Sequence, residues 1–210
     1  MTFHDEVLSQ AQVSALAALG PVLSPSGFYL GGGTAVAIHL GHRRSEDLDW
    51  FTEETLADPM RLAADLRAEG VDLETRQVAR GTLHAAVGGV RVSFMEYRHA
   101  RLSPTVSWPL HGCWLASRDD LACMKLAAVA QRGARKDFLD LYALGLHHRG
   151  LVDMLALYRR RYAVADIAHV LYGLTYFDDA EGEPAPIMLW DVSWEEVKAA
   201  VREWVAEAAA

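Results

Sequence analysis

The sequence has little cysteine and no long apolar run. Cys113 and Cys123 are the two cysteines in 210 residues, and they match neither a metal-ligand spacing nor a redox motif. A membrane-spanning helix requires about 18 consecutive apolar residues, and the chain has no such stretch. The first six residues carry acid where a signal peptide carries lysine or arginine. We therefore expect reduced cysteines and a cytoplasmic protein with no membrane partner.

Positive charge is also scarce. Twenty Lys and Arg residues face 28 Asp and Glu residues, which gives a net charge of −8. Residues 151–210 hold 5 basic and 11 acidic residues, and residues 1–150 hold 15 and 17. This balance excludes the broad basic face of a sequence-independent nucleic-acid binder. A nucleic acid would have to be bound through a local basic patch at a cleft.

Periodicity and turn residues predict an α+β protein with a mixed sheet first and helices after it. Strands are predicted at 28–30, 47–51, 72–79, 82–87 and 90–97, with a hairpin turn at Gly88-Gly89. Helices are predicted at 4–20, 34–40, 58–69, 117–132, 136–148 and from Ser193, with Gly20-Pro21 ending the first. We expect an α/β domain over residues 1–116 and a helical domain over residues 117–210.

A glycine run lies where the first predicted strand turns into a helix. Gly31, Gly32 and Gly33 precede Thr34, so their backbone N–H groups would lie at a helix N-terminus. Unpaired N–H groups and the helix dipole favour an anion such as phosphate there. No Gly-Lys-Ser/Thr follows, so this is not a Walker loop. Taken alone, the run is equally typical of a simple tight turn.

Two aspartates follow on the next predicted strand. Asp47 and Asp49 are two residues apart and so share one face, whereas Leu48 and Trp50 lie on the other face. Neighbouring carboxylates repel each other unless a cation lies between them, and hard oxygen ligands beside triphosphate oxygens suit Mg²⁺ or Mn²⁺. An isolated pair is commonly a solvated strand face. The order of glycine turn, short helix and aspartate pair is more specific.

This segment resembles a known family. The matching runs read LGGGTA at residues 30–35, HLGHRRS at 39–45 and DLDWF at 47–51. They look like the AbiEii/AbiGii toxin family of the polymerase-beta-like nucleotidyltransferase superfamily. A second block, with DLA at 120–122, MKLAA at 124–128, RGARKDF at 132–138 and DLY at 140–142, resembles the family's later motifs. The resemblance covers roughly residues 28–145 and implies a nucleotidyltransferase-like mixed sheet with flanking helices.

The second block supplies further candidates for the same site. Lys125 and Arg132 are seven residues apart and share one helix face. A lysine there can neutralise triphosphate charge, and an arginine can hold a phosphate through two hydrogen bonds. The resemblance implies that Lys125 and Asp137 line the cleft as catalytic residues beside Asp47 and Asp49. Asp140 could instead merely pair with the basic residues at 135–136.

The loop before Asp47 carries a small basic group. His42, Arg43 and Arg44 can contact phosphate or RNA, with solvated loop residues as the alternative, and we assign Arg44 to nucleotide binding with Gly32, Gly33, Thr34 and Arg132. His39 and His42 are three residues apart, but no third ligand follows at a zinc spacing.

One departure from the superfamily pattern concerns a third carboxylate, which a neighbouring strand usually supplies. The strand at 90–97 places Ser93 at the expected position, and serine is not an acid. Glu96 lies three residues further on and would leave the opposite face of a regular strand. A β-bulge could redirect it. We therefore keep Glu96 as a candidate third metal ligand.

The leading hypothesis is a Mg²⁺-dependent nucleotidyltransferase that moves a nucleotidyl group from a nucleoside triphosphate to an acceptor hydroxyl. The resemblance further implies the toxin of a type IV toxin–antitoxin pair, with a cognate antitoxin as partner and a tRNA 3′ end as one acceptor. The alternative is a non-catalytic module that binds a nucleotide or a partner with the same fold. A weaker third reading takes Asp-x-Asp as the metal motif of a nucleotide-sugar glycosyltransferase, in which the glycine run has no role.

Overall fold

The computed structural model describes residues 2–209, and its strands pair into one mixed sheet in the order β3-β4-β5-β2-β1-β7-β6. They are β1 (Tyr29–Leu30), β2 (Leu48–Thr52), β3 (Leu73–Ala79), β4 (Thr82–Val87), β5 (Val90–Glu96), β6 (Val106–Trp108) and β7 (Cys113–Leu115). The pairs β2–β5 and β1–β7 are parallel, and the other neighbours are antiparallel.

Helices cover the sheet and form the second half of the chain. They are α1 (Gln10–Leu23), α2 (Gly32–Leu40), α3 (Pro59–Ala68), α4 (Arg118–Arg132), α5 (Arg135–His147), α6 (Leu151–Tyr162), α7 (Ala168–Thr175), α8 (Asp178–Glu181) and α9 (Trp194–Ala209). The predicted α+β class, a mixed sheet with flanking helices followed by helices, is confirmed. Within residues 2–209, no helix is both long and apolar enough to cross a membrane.

The local sequence signals explain most element boundaries. Alternating burial along β5 reflects its alternating apolar and polar residues. Gly88 and Gly89 both adopt positive φ in the β4–β5 hairpin, as a two-residue turn of this kind requires. Ser117 caps α4 by accepting a hydrogen bond from the Asp120 N–H, and Gly133 ends that helix at a φ of 56°.

Two hydrophobic clusters lie on the two faces of the sheet. One packs α1 and α3 against the side chains that include Trp50 and Phe94. The other joins Tyr29 and Phe51 of the sheet to α2 and the helices from α4 onward. The second cluster therefore runs across the predicted boundary at residues 116 and 117. The division into two domains stays a prediction.

Three details differ from the sequence-based expectation. The predicted first helix starts at residue 4, whereas α1 begins at Gln10, where the Ser9 side chain caps it. The first helix does not stop at Gly20-Pro21 but continues to Leu23 with Pro21 inside it, because Leu19 and Leu23 are both buried in the core. Packing thus outweighs the local cost of the proline. The strands β6 and β7 were not predicted, since three residues are too few to show a period of two.

Candidate functional site

The glycine turn is held against β2 by its own backbone. The Gly31 N–H donates to the Asp49 carbonyl at 2.8 Å, and the Thr34 hydroxyl donates to the Asp47 carbonyl. Gly31 is the N-cap of α2, so the N–H groups of Gly32, Gly33 and Thr34 have no acceptor within the helix. These N–H groups form an anion-binding end beside the two aspartates.

Asp49 lies directly against this turn. Gly32 has a φ of 63°, and a Cβ at this position would overlap the Asp49 carboxylate. Only glycine satisfies both conditions. Burial and the nearby charge of Asp47 raise the pKa of Asp49, while Lys125 and a hydrogen bond from Ser93 act in the opposite direction. A half-buried carboxylate that resists ionisation is typical of a functional site.

Asp47 completes what we call the cleft pair, Asp47 and Asp49. Leu48, which lies between the two aspartates, and Trp50, which follows Asp49, are fully buried. The predicted alternation is therefore correct. Asp47 is about one third exposed, and its Oδ1 accepts from the Arg91 Nε at 2.6 Å. Arg91 itself is mostly exposed on β5. The cleft pair therefore has an exposed cationic partner on one side and the glycine turn on the other.

Lys125 does not lie on the wall of the cleft, contrary to expectation. Its side chain is 6% exposed, and its Nζ donates to Asp137 at 2.9 Å and pairs with Asp140 at 2.6 Å. Direct neutralisation of a triphosphate is therefore not available to Lys125 in this arrangement. Its charge still reaches the cleft pair, because it lowers the pKa of Asp49.

Asp137 is also fully buried, but it connects to the surface through Arg132. The Arg132 guanidinium donates to both Asp137 oxygens, at 2.7 and 3.0 Å, and is 57% exposed itself. Such a two-pronged contact fixes the plane of a guanidinium. The predicted pair of Lys125 and Arg132 on one helix face does meet, through Asp137.

Asp140 is the functional neighbour that sequence reasoning misjudged. It does not pair with the basic residues at 135–136, because it lies fully buried and accepts from Arg43 at 2.6 and 2.8 Å and from His42 at 2.7 Å. Arg43 and Lys125 together hold the pKa of the Asp140 carboxyl well below its usual range. We call the five residues His42, Arg43, Lys125, Asp137 and Asp140 the buried cluster. In the sequence Arg43 stands beside Arg44, and nothing in that pattern indicates that Arg43 is buried.

Glu96 does not join the cleft pair. The register of β5 with β2 and β4 is continuous, so no bulge turns its side chain round. Glu96 lies opposite Thr52, accepts from the Leu56 N–H at 2.9 Å and pairs with Arg98. The expectation that it is a third metal ligand is therefore corrected. Ser93 is the residue opposite Asp49, as the strand pattern predicted.

An open cavity of about 550 Å³ borders Asp47. Arg44, Arg91 and Lys136 contribute basic side chains to its lining, and all three are exposed. Lys136 was not assigned a role from the sequence, although it directly precedes Asp137. A cavity of this size accommodates a nucleotide. The exposed cations suit a phosphate-bearing ligand better than the buried cluster does.

The cleft pair fits a hard divalent cation as a partial site. It offers carboxylate oxygens, and a cation between them would relieve the repulsion that raises the pKa of Asp49. Among residues 2–209, no group of three or more His, Cys, Asp or Glu side chains is arranged to hold a metal ion. The remaining ligands would have to be phosphate oxygens and water, as is usual for Mg²⁺.

Comparisons with solved structures place the fold among nucleotidyltransferases. MenT4, a nucleotidyltransferase toxin from Mycobacterium tuberculosis H37Rv, superposes with a TM-score of 0.64 at 14% identity, covering 95% of this chain and 82% of its own. JHP933 from Helicobacter pylori gives 0.55 at 13% identity, with 99% and 95% covered. The antibiotic-resistance factor ANT(2'')-Ia gives 0.53 at 15% identity, with 74% and 95% covered. At these identities the likeness concerns the fold.

Sequence comparison adds the family. An uncharacterised protein of Aquifex aeolicus (strain VF5) is 35% identical over 179 residues, which is 81% of this chain and 82% of that protein. The family model described as nucleotidyl transferase AbiEii toxin, type IV TA system, matches residues 14–208. That match includes the glycine turn, the cleft pair and the buried cluster, so the chain belongs to the AbiEii nucleotidyltransferase toxin family.

Proposed function

We propose that this protein is a Mg²⁺-dependent nucleotidyltransferase that transfers a nucleotidyl group from a nucleoside triphosphate to an acceptor hydroxyl and releases pyrophosphate. The main observation in support of this proposal is the contact of Asp49 with the glycine turn. It brings a carboxylate, which suits a metal ion, next to free helix N–H groups, which suit phosphate. A metal-bound triphosphate needs both in one place.

The nucleotide would be bound by the turn and the exposed cations. The N–H groups of Gly32, Gly33 and Thr34 would donate to phosphate oxygens, with Arg44 and Lys136 nearby in the cavity. Arg132, held by Asp137, would present its free face to the same ligand. The fixed orientation of Arg132 reduces the ordering cost of that contact.

Asp47 and Asp49 would hold the metal ion. When bound, Mg²⁺ or Mn²⁺ polarises the phosphoryl group and offsets the charge that a nucleophile meets on approach. Asp47 would have to exchange its contact with Arg91 for this purpose. Lys125 acts at a distance, by favouring the charged form of Asp49, and Asp137 positions Arg132.

The toxin role and the acceptor follow from family membership as further parts of the proposal. A cognate antitoxin would be the protein partner, and a tRNA 3′ end would be the acceptor. The net charge of −8 limits contact with RNA to basic groups around the cavity, of which Arg44, Arg91 and Lys136 are the exposed ones.

A direct experiment is incubation with each labelled nucleoside triphosphate, Mg²⁺ and total tRNA. We expect label on RNA with the natural protein and none with Asp47→Asn/Asp49→Asn, because the double variant lacks both metal ligands. Asp72→Asn, at an exposed position outside the site, is the matched control and should transfer label normally. Equal transfer by the double variant and the natural protein would refute the metal assignment.

A second candidate, a non-catalytic nucleotide-binding module, has one observation in its favour. Ser93 occupies the position at which the superfamily pattern expects a third acid. This candidate predicts triphosphate binding, measured by calorimetry with Mg²⁺, without transfer to any acceptor. Transfer that depends on Asp49 would eliminate it.

A further inference from the structure

Three polar side chains lie in a row across neighbouring strands at the cleft. Asp49 on β2 is directly opposite Ser93 on β5, and Ser93 is directly opposite His84 on β4. Side chains opposite one another on neighbouring strands share a face and have Cβ atoms about 5 Å apart. The row therefore extends from the cleft pair across the position of the missing third acid.

A hydrogen bond connects two of these three side chains. His84 Nδ1 lies 3.0 Å from Ser93 Oγ, and the strand register places Ser93 beside Asp49. In one of the two neutral tautomers of His84, Nδ1–H donates to Ser93 Oγ. In that tautomer Nε2 carries the free lone pair. Among the described residues, no group forms a hydrogen bond with Nε2.

The chemistry of this row matches an oriented base. In hydrolases a carboxylate holds a histidine through Nδ1 and leaves Nε2 to accept a proton, and here the Ser93 hydroxyl is the partner of Nδ1. His84 is half-buried, so it keeps contact with solvent while its ring is held by the sheet. Leu83 and Ala85 on either side of it are buried on the opposite face, which anchors that part of β4.

We propose that His84 is the general base of the transfer reaction and does the work that a third carboxylate would do at position 93. The inference rests on the proposed nucleotidyltransferase function. Serine is shorter than aspartate, so position 93 leaves room for the imidazole to serve the same acceptor hydroxyl from the next strand. Ser93 is then a positioning residue, and His84 contacts the reacting hydroxyl.

The step balances with the groups named. The acceptor hydroxyl oxygen attacks the α-phosphorus, and a new P–O bond forms there. The bond from the α-phosphorus to the bridging oxygen breaks, and pyrophosphate leaves with that electron pair. The hydroxyl proton moves to His84 Nε2. The imidazolium keeps its Nδ1–H hydrogen bond to Ser93 and lies on the same sheet face as the Asp49 carboxylate, and it returns the proton to water because His84 is partly exposed.

The decisive variant is His84→Gln. Glutamine can keep a hydrogen bond to Ser93 but cannot accept the proton, so transfer should fall by about 10²-fold or more. Binding of Mn²⁺ and of the triphosphate, measured by calorimetry, should stay unchanged, as should the melting temperature. Unchanged binding with lost transfer separates a base from a residue that only ties β4 to β5.

Two rescue experiments give readouts that a structural role would not produce. Added imidazole should restore part of the transfer by His84→Ala, and it should not affect His99→Ala, a control with an exposed histidine elsewhere. Ser93→Asp in the His84→Gln background should restore transfer by supplying the third carboxylate. The same change should tighten Mn²⁺ binding several-fold, which is measurable without any turnover.

Failure of this inference is distinguishable from failure of the proposed function. Transfer by His84→Gln within about threefold of the natural protein, alongside inactive Asp49→Asn, overturns the base assignment alone. Full transfer by Asp49→Asn overturns the proposed function and the base assignment with it. If His84→Gln loses Mn²⁺ binding together with transfer, the histidine supports the metal site and the base assignment is likewise wrong.

Discussion

The cleft pair and the buried cluster are neighbours built from the same kinds of charged groups, yet they differ in how those charges are satisfied. In the buried cluster, each carboxylate has at least two cationic or imidazole partners within 3.0 Å. In the cleft pair, Asp49 lies against the glycine turn and forms no salt bridge with any residue in the described range 2–209, and Asp47 has one exposed arginine.

This difference separates structural charge from functional charge. Partners lower the pKa of Asp137 and Asp140, whereas burial and Asp47 raise the pKa of Asp49. A carboxylate that the fold destabilises has binding energy left for a metal ion, while one that the fold already neutralises has little. The buried cluster also connects the loop that carries Arg43 to α4 and α5. It therefore holds these elements together next to the cleft pair.

The largest effect is expected from Asp140→Asn, which breaks the buried cluster. The change leaves Arg43 and Lys125 buried without their shared carboxylate, and loss of one partner of such a group costs about 3–5 kcal/mol. Urea unfolding at pH 7 measures the free energy of unfolding. The exposed control Asp72→Asn should change it by less than about 0.5 kcal/mol. Equal unfolding midpoints for the two variants would show that the charge of Asp140 is not structural.

A somewhat smaller effect, on the pH dependence of stability, is expected from His39 in α2. Burial lowers its pKa to about 4, and its Nε2 hydrogen-bonds the Ala116 carbonyl at 2.9 Å. The unfolded chain takes up a proton near pH 6.5 while the folded protein does not, so stability falls as the pH drops from about 6.5 to 4. The full range is worth roughly 3 kcal/mol.

The check is urea unfolding at pH 7 and pH 5 for the natural protein and for His39→Gln. Glutamine can still donate to Ala116 but does not titrate, so the difference between the two pH values should shrink. A difference that is the same in both proteins would assign the pH dependence to other groups.

The sequence predicted the fold and half of the site, and physical reasons explain where it stopped. Glycines 31–33 and the alternation around Asp49 are local signals, so the turn, the strand and their contact followed from spacing. Two partners of Asp140, His42 and Arg43, are 98 and 97 positions away in the sequence, and no local pattern encodes such a pairing. The same applies to His84, whose link to Ser93 depends on strand register.

A smaller effect of opposite sign is expected from Asp49→Asn. Because the pKa of Asp49 is raised in the folded protein, its contribution to stability is present below its unfolded pKa and is lost as the pH rises. At pH 7 the variant should therefore be more stable than the natural protein by about 0.5–2 kcal/mol, even though it is inactive. Thermal unfolding at pH 7 measures this. A less stable variant would place Asp49 with the structural charges.

The smallest effect concerns Arg91, the one exposed arginine of the described residues that pairs with Asp47. Arg91→Ala should tighten Mn²⁺ binding several-fold, because the metal no longer competes with the guanidinium for Asp47. Stability should change by less than about 0.5 kcal/mol, since Arg91 is 69% exposed and exposed pairs contribute little. Arg76→Ala on β3, which removes an exposed pair with Glu74, is the matched control and should not alter Mn²⁺ binding. Weaker Mn²⁺ binding by Arg91→Ala would instead mean that Arg91 holds Asp47 in the orientation that the metal requires, and the cleft pair would then share the pre-arranged character of the buried cluster.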